Sequence, residues 1–178
     1  MILSEHTAKP LSLVLCLLFL SPLGLLVASC SQKDGKASAV TAESEKQAVI
    51  AAVNEAYLAG QRGDLEALAA GHLYGPGFTR FDEGQRINAE QTRQMEEAFF
   101  SAPDNGFKFE VIDPLVDLVA EDVAVATYFL HWSARFQGHD YVSRDQITFV
   151  MKKQDGRWLI AHENFAPLEG YPEVTPAQ

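Results

Sequence analysis

The chain has 178 residues and a formal net charge of −10, with 14 basic side chains against 24 acidic ones. It therefore offers no basic patch to neutralise phosphates, which excludes nucleic acid as a partner and argues against polybasic docking on anionic lipid. Only two cysteines occur, Cys16 and Cys30, so an internal disulfide framework is not expected.

Leu11 to Val27 is apolar apart from Ser12, Ser21, Pro22 and Gly24. The stretch fits the core of a secretory signal and falls short of a comfortable span of about 20 residues. Its amino end is only weakly basic, because Glu5 offsets Lys9. Val27-Ala28-Ser29-Cys30 resembles the bacterial lipobox: an apolar residue, two small ones, then the thiol that takes the lipid. This reading divides the chain into a signal peptide (1–29), a lipidated Cys30 with a flexible tether (30–43), a globular domain (44–168) and a Pro-rich tail (169–178). Several acyl chains on one residue give stable anchoring where one would be marginal. The alternatives are an uncleaved anchor, or an ordinary signal with a coincidental cysteine. Ser31 rather than aspartate after the cysteine resembles the sorting signal for the outer membrane, if the source is Gram-negative.

The spacing predicts a helix from Ser44, with Gln47 completing a capping box and Val49, Ile50, Val53, Ala56 and Tyr57 inward. Gly60 to Gly63 should end it. Asp64 can cap a short helix over Leu65 to Ala70. Phe78 to Ile87 reads as two short extended pieces around Asp82-Glu83-Gly84. Asn88 and Gln91 open a third helix, with Met95 and Phe99 on its buried face, and Pro103 with Asp104-Asn105-Gly106 ends it. From Phe107 the period is two, with an interruption at Pro114. Strands follow over Val123 to Phe136, Tyr141 to Lys153 and Trp158 to Phe165, joined by turns at Gly138 and at Asp155-Gly156. Three helices before an antiparallel meander give an α+β domain, with the helices covering one face of a strongly curved sheet and a pocket at its open end.

This order resembles the SnoaL-like branch of the nuclear transport factor 2-like superfamily. The resemblance rests on Ala56-Tyr57 with Gly63-Asp64-Leu65 and Leu68, on Phe78-Thr79-Arg80-Phe81, and on the closing hairpin, Thr148 to Lys153 with Asp155 to Glu163. It implies a cone-shaped fold of three helices on a curved antiparallel sheet. The family's frequent second histidine is Asn164 here, and its arginine two residues before the threonine is Gln146, with Arg144 further along the same face. The family includes cyclases, isomerases, dehydratases, kinase oligomerisation domains and binding modules, so fold does not decide activity.

Strict alternation puts Trp158, Ile160, His162 and Asn164 on one strand face. The pocket candidates are accordingly Tyr57, Trp132, Arg144, Gln146, His162 and Asn164. The resemblance implies a hydrogen-bonding role for Tyr57 and a carboxylate base near Asp82. Against these stand a core aromatic and a turn aspartate. His162 could act as a general base or simply bond a neighbouring strand. His72 and His139 read as turn residues without partners at metal-ligand spacing, so neither metal nor cofactor is expected. The strand Val123 to Phe136 is apolar on both faces: Val123, Val125 and Phe129 on one, Ala124, Ala126, Tyr128, Leu130 and Trp132 on the other. That pattern predicts cover on both sides, and a homodimer through the sheet. The expected function is a lipid-anchored envelope lipoprotein whose domain binds a small apolar ligand or a partner without catalysis. The alternative is a proton-transfer enzyme (isomerase, cyclase or dehydratase) using Asp82, His162 and Tyr57.

Overall fold

The computed structural model describes residues 33–82, 84–102, 105–168 and 175–176, with side chains from 41 to 168 within those limits. The expected signal segment and lipobox with Cys30, together with Glu83, Pro103, Asp104 and most of the Pro-rich tail, lie outside the described residues. The elements are α1 (Lys33–Arg62), α2 (Leu65–Ala70), β1 (Thr79–Asp82), β2 (Gln85–Asn88), α3 (Ala89–Phe100), β3 (Lys108–Ala120), β4 (Val123–Phe136), β5 (His139–Gln154), β6 (Arg157–Pro167) and β7 (Thr175–Pro176).

Helix α1 starts at Lys33, well before Ser44, so Ser44 and Gln47 lie inside it and do not cap it. The expected tether is helical from Lys33 on; Ala37, Ala39 and Ala42 supply strong helix propensity there. The helix ends at Arg62, within the expected Gly60 to Gly63 stretch, with Gly60 itself still helical. A β-carbon at Gly60 would meet the Phe100 ring of α3 at 2.7 Å, so the glycine serves close packing, and Gly63, at φ +68°, makes the turn after α1. The buried stripe of α1 is Val49, Val53, Ala56 and Ala59. Asp64 accepts from the Ala67 amide and caps α2. Asn88 and Gln91 form a reciprocal capping box on α3. The buried face of α3 differs from expectation: Thr92 and Glu96 are buried, whereas Met95 is 36% exposed.

The sheet order is β2-β1-β6-β5-β4-β3, with β7 pairing the start of β5. It is mixed rather than wholly antiparallel, because β1 runs parallel to β6. Two of the three long hairpins turn on two residues with positive φ, Gln137-Gly138 and Asp155-Gly156, the geometry that matches strand twist. Pro114 lies in a register shift between Ile112 and Leu115, beside Asp113 at φ +49°. The α1 stripe packs on Ala124, Ala126, Tyr128 and Leu130 of β4, Ile147, Phe149 and Met151 of β5, and Trp158 and Ile160 of β6. The face of β4 that carries Trp132 is thus the inner one, while Val125 and Phe129 face outward.

One irregularity decides the site. Val150 pairs with His162, yet the next residue, Met151, pairs with Ile160. Ala161 is therefore an extra residue, a bulge, and side-chain alternation changes phase across it. Trp158 and Ile160 point inward before the bulge, and Glu163, 2% exposed, points inward after it.

Candidate functional site

A cavity of about 640 Å³ opens between α1, α3 and the inner face of the sheet. Buried lining residues, among them Leu130, Phe149 and Ile160, form its inner wall; exposed Gln85, Met95 and Val142 form its rim. Phe99, Phe100, Phe107, Phe136 and Trp132 make the wall largely aromatic. Two polar groups sit on that wall.

The first group is built where three elements meet. The Leu73 amide donates to the Ile160 carbonyl and the Ile160 amide to that of Gly71, which pins His72 against β6. The parallel pairing of β1 with β6 sets Arg80 opposite Glu163. Glu96 arrives on the buried face of α3. His72 Nδ1 donates to the Leu68 carbonyl at 2.8 Å, and its Nε2 lies 3.0 Å from Glu163 Oε1 and 3.8 Å from Glu96 Oε1. Arg80 reaches Glu163 Oε2 at 3.3 Å and Asp82 Oδ2 at 2.6 Å, with its guanidinium over the Phe165 ring. The Tyr74 hydroxyl donates to Glu96 Oε2 at 2.6 Å.

Burial works against charge on His72 and Arg80, but Glu163, helped by Glu96 at His72 and by Asp82 and Glu96 at Arg80, more than compensates, and both pKa values are raised. Burial likewise opposes ionisation of Glu163, yet Arg80 and His72 together hold its carboxyl below the usual range. Glu96 goes the other way: its burial raises the pKa by more than His72 lowers it. The cluster is thus an ion pair of His72 with Glu163, clamped by Arg80, beside a carboxyl whose charged form is disfavoured.

The second group lies on β4 and β5. Trp132 Nε1 donates to Asp145 Oδ2 at 2.6 Å, and Ser143 Oγ donates to Oδ1 at 2.8 Å. Between the two groups the Tyr57 and Tyr128 hydroxyls bond each other at 2.8 Å, and burial raises the pKa of both.

Of the residues singled out in the sequence, Tyr57, Trp132 and Asp82 line the cavity. The Tyr57 hydroxyl goes to Tyr128 rather than to water. Asp82 is tied to Arg80. Arg144, Gln146, His162 and Asn164 are not among the lining residues. On β5 the inward residues are Asp145, Ile147, Phe149 and Met151, which leaves Arg144 and Gln146 on the outer face. His162 and Asn164 are turned outward by the bulge; His162 Nδ1 bonds the Thr79 hydroxyl at 2.7 Å and its ring meets Phe81. His72, expected to lack partners, is joined by Glu96 and Glu163, 24 and 91 residues away. A signal for Glu96 was present: Thr92, Glu96 and Phe99 share a helical stripe, so a glutamate sits amid the inward positions. Nothing in the sequence around Ala161 marks the bulge.

The model of the SnoaL-like domain family matches residues 49–168. Among curated proteins, none matches the chain. Solved structures match widely at low identity. A proposed scytalone dehydratase from Novosphingobium aromaticivorans is 15% identical with a TM-score of 0.66, covering 79% of this chain and 92% of its own. A nuclear transport factor 2-like protein of unknown function from Shewanella oneidensis is 16% identical with a TM-score of 0.55, covering 67% and 97%. The association domain of the C. elegans CaMKII is 20% identical with a TM-score of 0.58, covering 70% and 96%. These likenesses show the α+β nuclear transport factor 2-like fold.

Proposed function

The chain belongs to the SnoaL-like domain family, and on that premise we propose that it binds a small, largely apolar molecule in the cavity on the inner face of the sheet. The observation that carries this is the pairing of an aromatic wall with two convergent polar groups in a space of about 640 Å³. That size and that chemistry are those of small-molecule sites. The ligand this wall suits is a flat, apolar body with an oxygen function at the Arg80–Glu163 end. A thermal-shift and tryptophan-fluorescence screen of such molecules tests it. Trp132→Ala should weaken each hit by roughly tenfold or more, about 1.4 kcal/mol. His162→Ala, on the outer face, should leave affinity unchanged. The opposite pattern would move the site to the outer face.

A second reading, proton-transfer catalysis, is favoured by one observation: Glu96 and Glu163 lie on one wall with their pKa values pushed in opposite directions. An acid and a base held apart by environment are what such chemistry needs. Tyr57 and Asp82 remain on that wall, while His162 does not. Turnover of a bound carbonyl or hydroxy compound, lost in Glu163→Gln, would establish it; binding without turnover leaves the first reading.

The same reading includes the envelope setting. The lipobox at Val27 to Cys30 supports a lipid anchor. Cys30→Ser should release a folded domain from the membrane fraction. The outer sheet face supports a homodimer, because Phe129, Leu115 and Phe81 are 41%, 71% and 39% exposed on it. Light scattering of the Phe129→Glu variant should then show a monomeric mass where the parent shows a dimer.

A further inference from the structure

We propose that His72, Glu96 and Glu163 bind a divalent transition-metal ion whose remaining coordination positions open onto the cavity. This rests on reading the cavity as the ligand site, and it names the cofactor of that site.

Geometry comes first. One ligand atom from each residue lies within 4.8 Å of the other two. The two separations at His72 Nε2, 3.0 Å to Glu163 and 3.8 Å to Glu96, bracket the spacing of about 3.3 Å between ligand atoms around a tetrahedral ion with bonds near 2.0–2.1 Å. Every one of the three is also held by its other atom. His72 Nδ1 is fixed on the Leu68 carbonyl, Glu96 Oε2 on the Tyr74 hydroxyl and Glu163 Oε2 on Arg80. Outer partners of this kind orient metal ligands, and a backbone carbonyl on the far nitrogen of a ligating histidine is among the commonest. The remaining atoms converge, Nε2, Oε1 and Oε1; Nε2 and Glu163 Oε1 bond each other at 3.0 Å, a contact the ion would replace.

Charge makes the same case. Three carboxylates, Asp82, Glu96 and Glu163, face at most two cations, Arg80 and a protonated His72. Asp82 is tied to Arg80, and Glu96, whose charged form burial disfavours, meets His72 Nε2 no closer than 3.8 Å. A divalent ion among the three ligand atoms would give Glu96 and Glu163 a cation at bonding distance. One imidazole and two carboxylates suit zinc, manganese or ferrous iron. Because all three residues line the cavity, a ligand oxygen can complete the coordination shell, as in sites with three protein ligands and an open position. The group that reaches this wall is then a carbonyl, hydroxyl or carboxylate of the small molecule.

The test uses the full chain in detergent, stripped with chelator and titrated with zinc and with cobalt by calorimetry and visible absorption. The expected result is one ion per chain. Glu96→Gln and Glu163→Gln should each weaken binding by at least ~100-fold, while His162→Ala leaves it unchanged. Should Glu163→Gln fail to fold by circular dichroism, Glu96→Gln carries the comparison. No binding, or binding that survives Glu96→Gln or depends on His162, overturns the proposal. An apolar fluorescent probe, titrated in parallel, separates the two readings. Probe binding lost in Trp132→Ala, without metal binding, keeps the cavity and removes the metal; loss of both removes both.

Discussion

Two glutamates in this protein have nearly the same partners and opposite surroundings. Glu163 meets the Arg80 guanidinium at 3.3 Å and His72 Nε2 at 3.0 Å. Glu45, on α1, meets Lys153 Nζ at 2.7 Å and Trp158 Nε1 at 2.9 Å. Each is bonded by a basic side chain and a ring nitrogen, the ring of His72 being charged in its ion pair and that of Trp158 neutral, and each carboxyl is held below its usual pKa. The Glu163 side chain is 3% exposed and the Glu45 side chain 30%. Burial, not partner count, is what separates a strut on the surface from a charged group poised on a cavity wall.

The largest expected effect follows directly. Glu163→Ala leaves Arg80 with Asp82 and moves the nearest carboxylate of buried His72 out to Glu96 at 3.8 Å, and urea unfolding should show a loss of about 3 kcal/mol. The comparison sharpens if the Arg80 charge is removed as well. The double variant Glu163→Leu with Arg80→Met should lose clearly less than the sum of the two single changes, because apolar groups of similar volume replace a desolvated pair at little cost. Additive losses would mean that Glu163 acts through packing alone. A smaller effect tests the delivery of Glu96 to the cluster. Asn88→Ala removes the cap of α3, and should cost about 1 kcal/mol in the same assay.

Much of the fold was legible in the sequence, and the site was legible only in part, for reasons that lie in particular residues. The Asp64 and Asn88 caps and the Asp155-Gly156 turn are local devices, and local sequence specifies them. Tyr57 and Trp132 reach the cavity because nothing interrupts the alternation or the helical period between each of them and the core. Alternation puts His162 and Asn164 on the wrong face because one bulged residue, Ala161, reverses the phase of β6. The same reversal carries Glu163 inward. The start of α1 lies beyond the amphipathic stripe, where only propensity speaks. The end of α1 between Gly60 and Gly63 is legible, but the packing role of Gly60 is not until Phe100, forty residues on, is seen against it. The charged cluster joins residues from β1, β6, α3 and the segment after α2, and no short motif encodes so dispersed a set.

The smallest expected effect lies at the exposed member of the pair, and its sign can be worked out. The hydrogen bond from Lys153, then that from Trp158, lowers the Glu45 pKa below its unfolded value. A carboxyl whose folded pKa is depressed contributes stability that is fully present above the unfolded pKa and lost as pH falls through the folded one. Glu45→Gln should therefore lower the unfolding temperature slightly at neutral pH. The difference from the parent should close as both are acidified below the ordinary carboxylate range, about pH 4. Salt should shrink the difference at neutral pH, since this pair faces solvent, whereas the loss in Glu163→Ala should persist in salt. If the Glu45 difference proved as resistant to salt as the Glu163 one, burial would not be what distinguishes them.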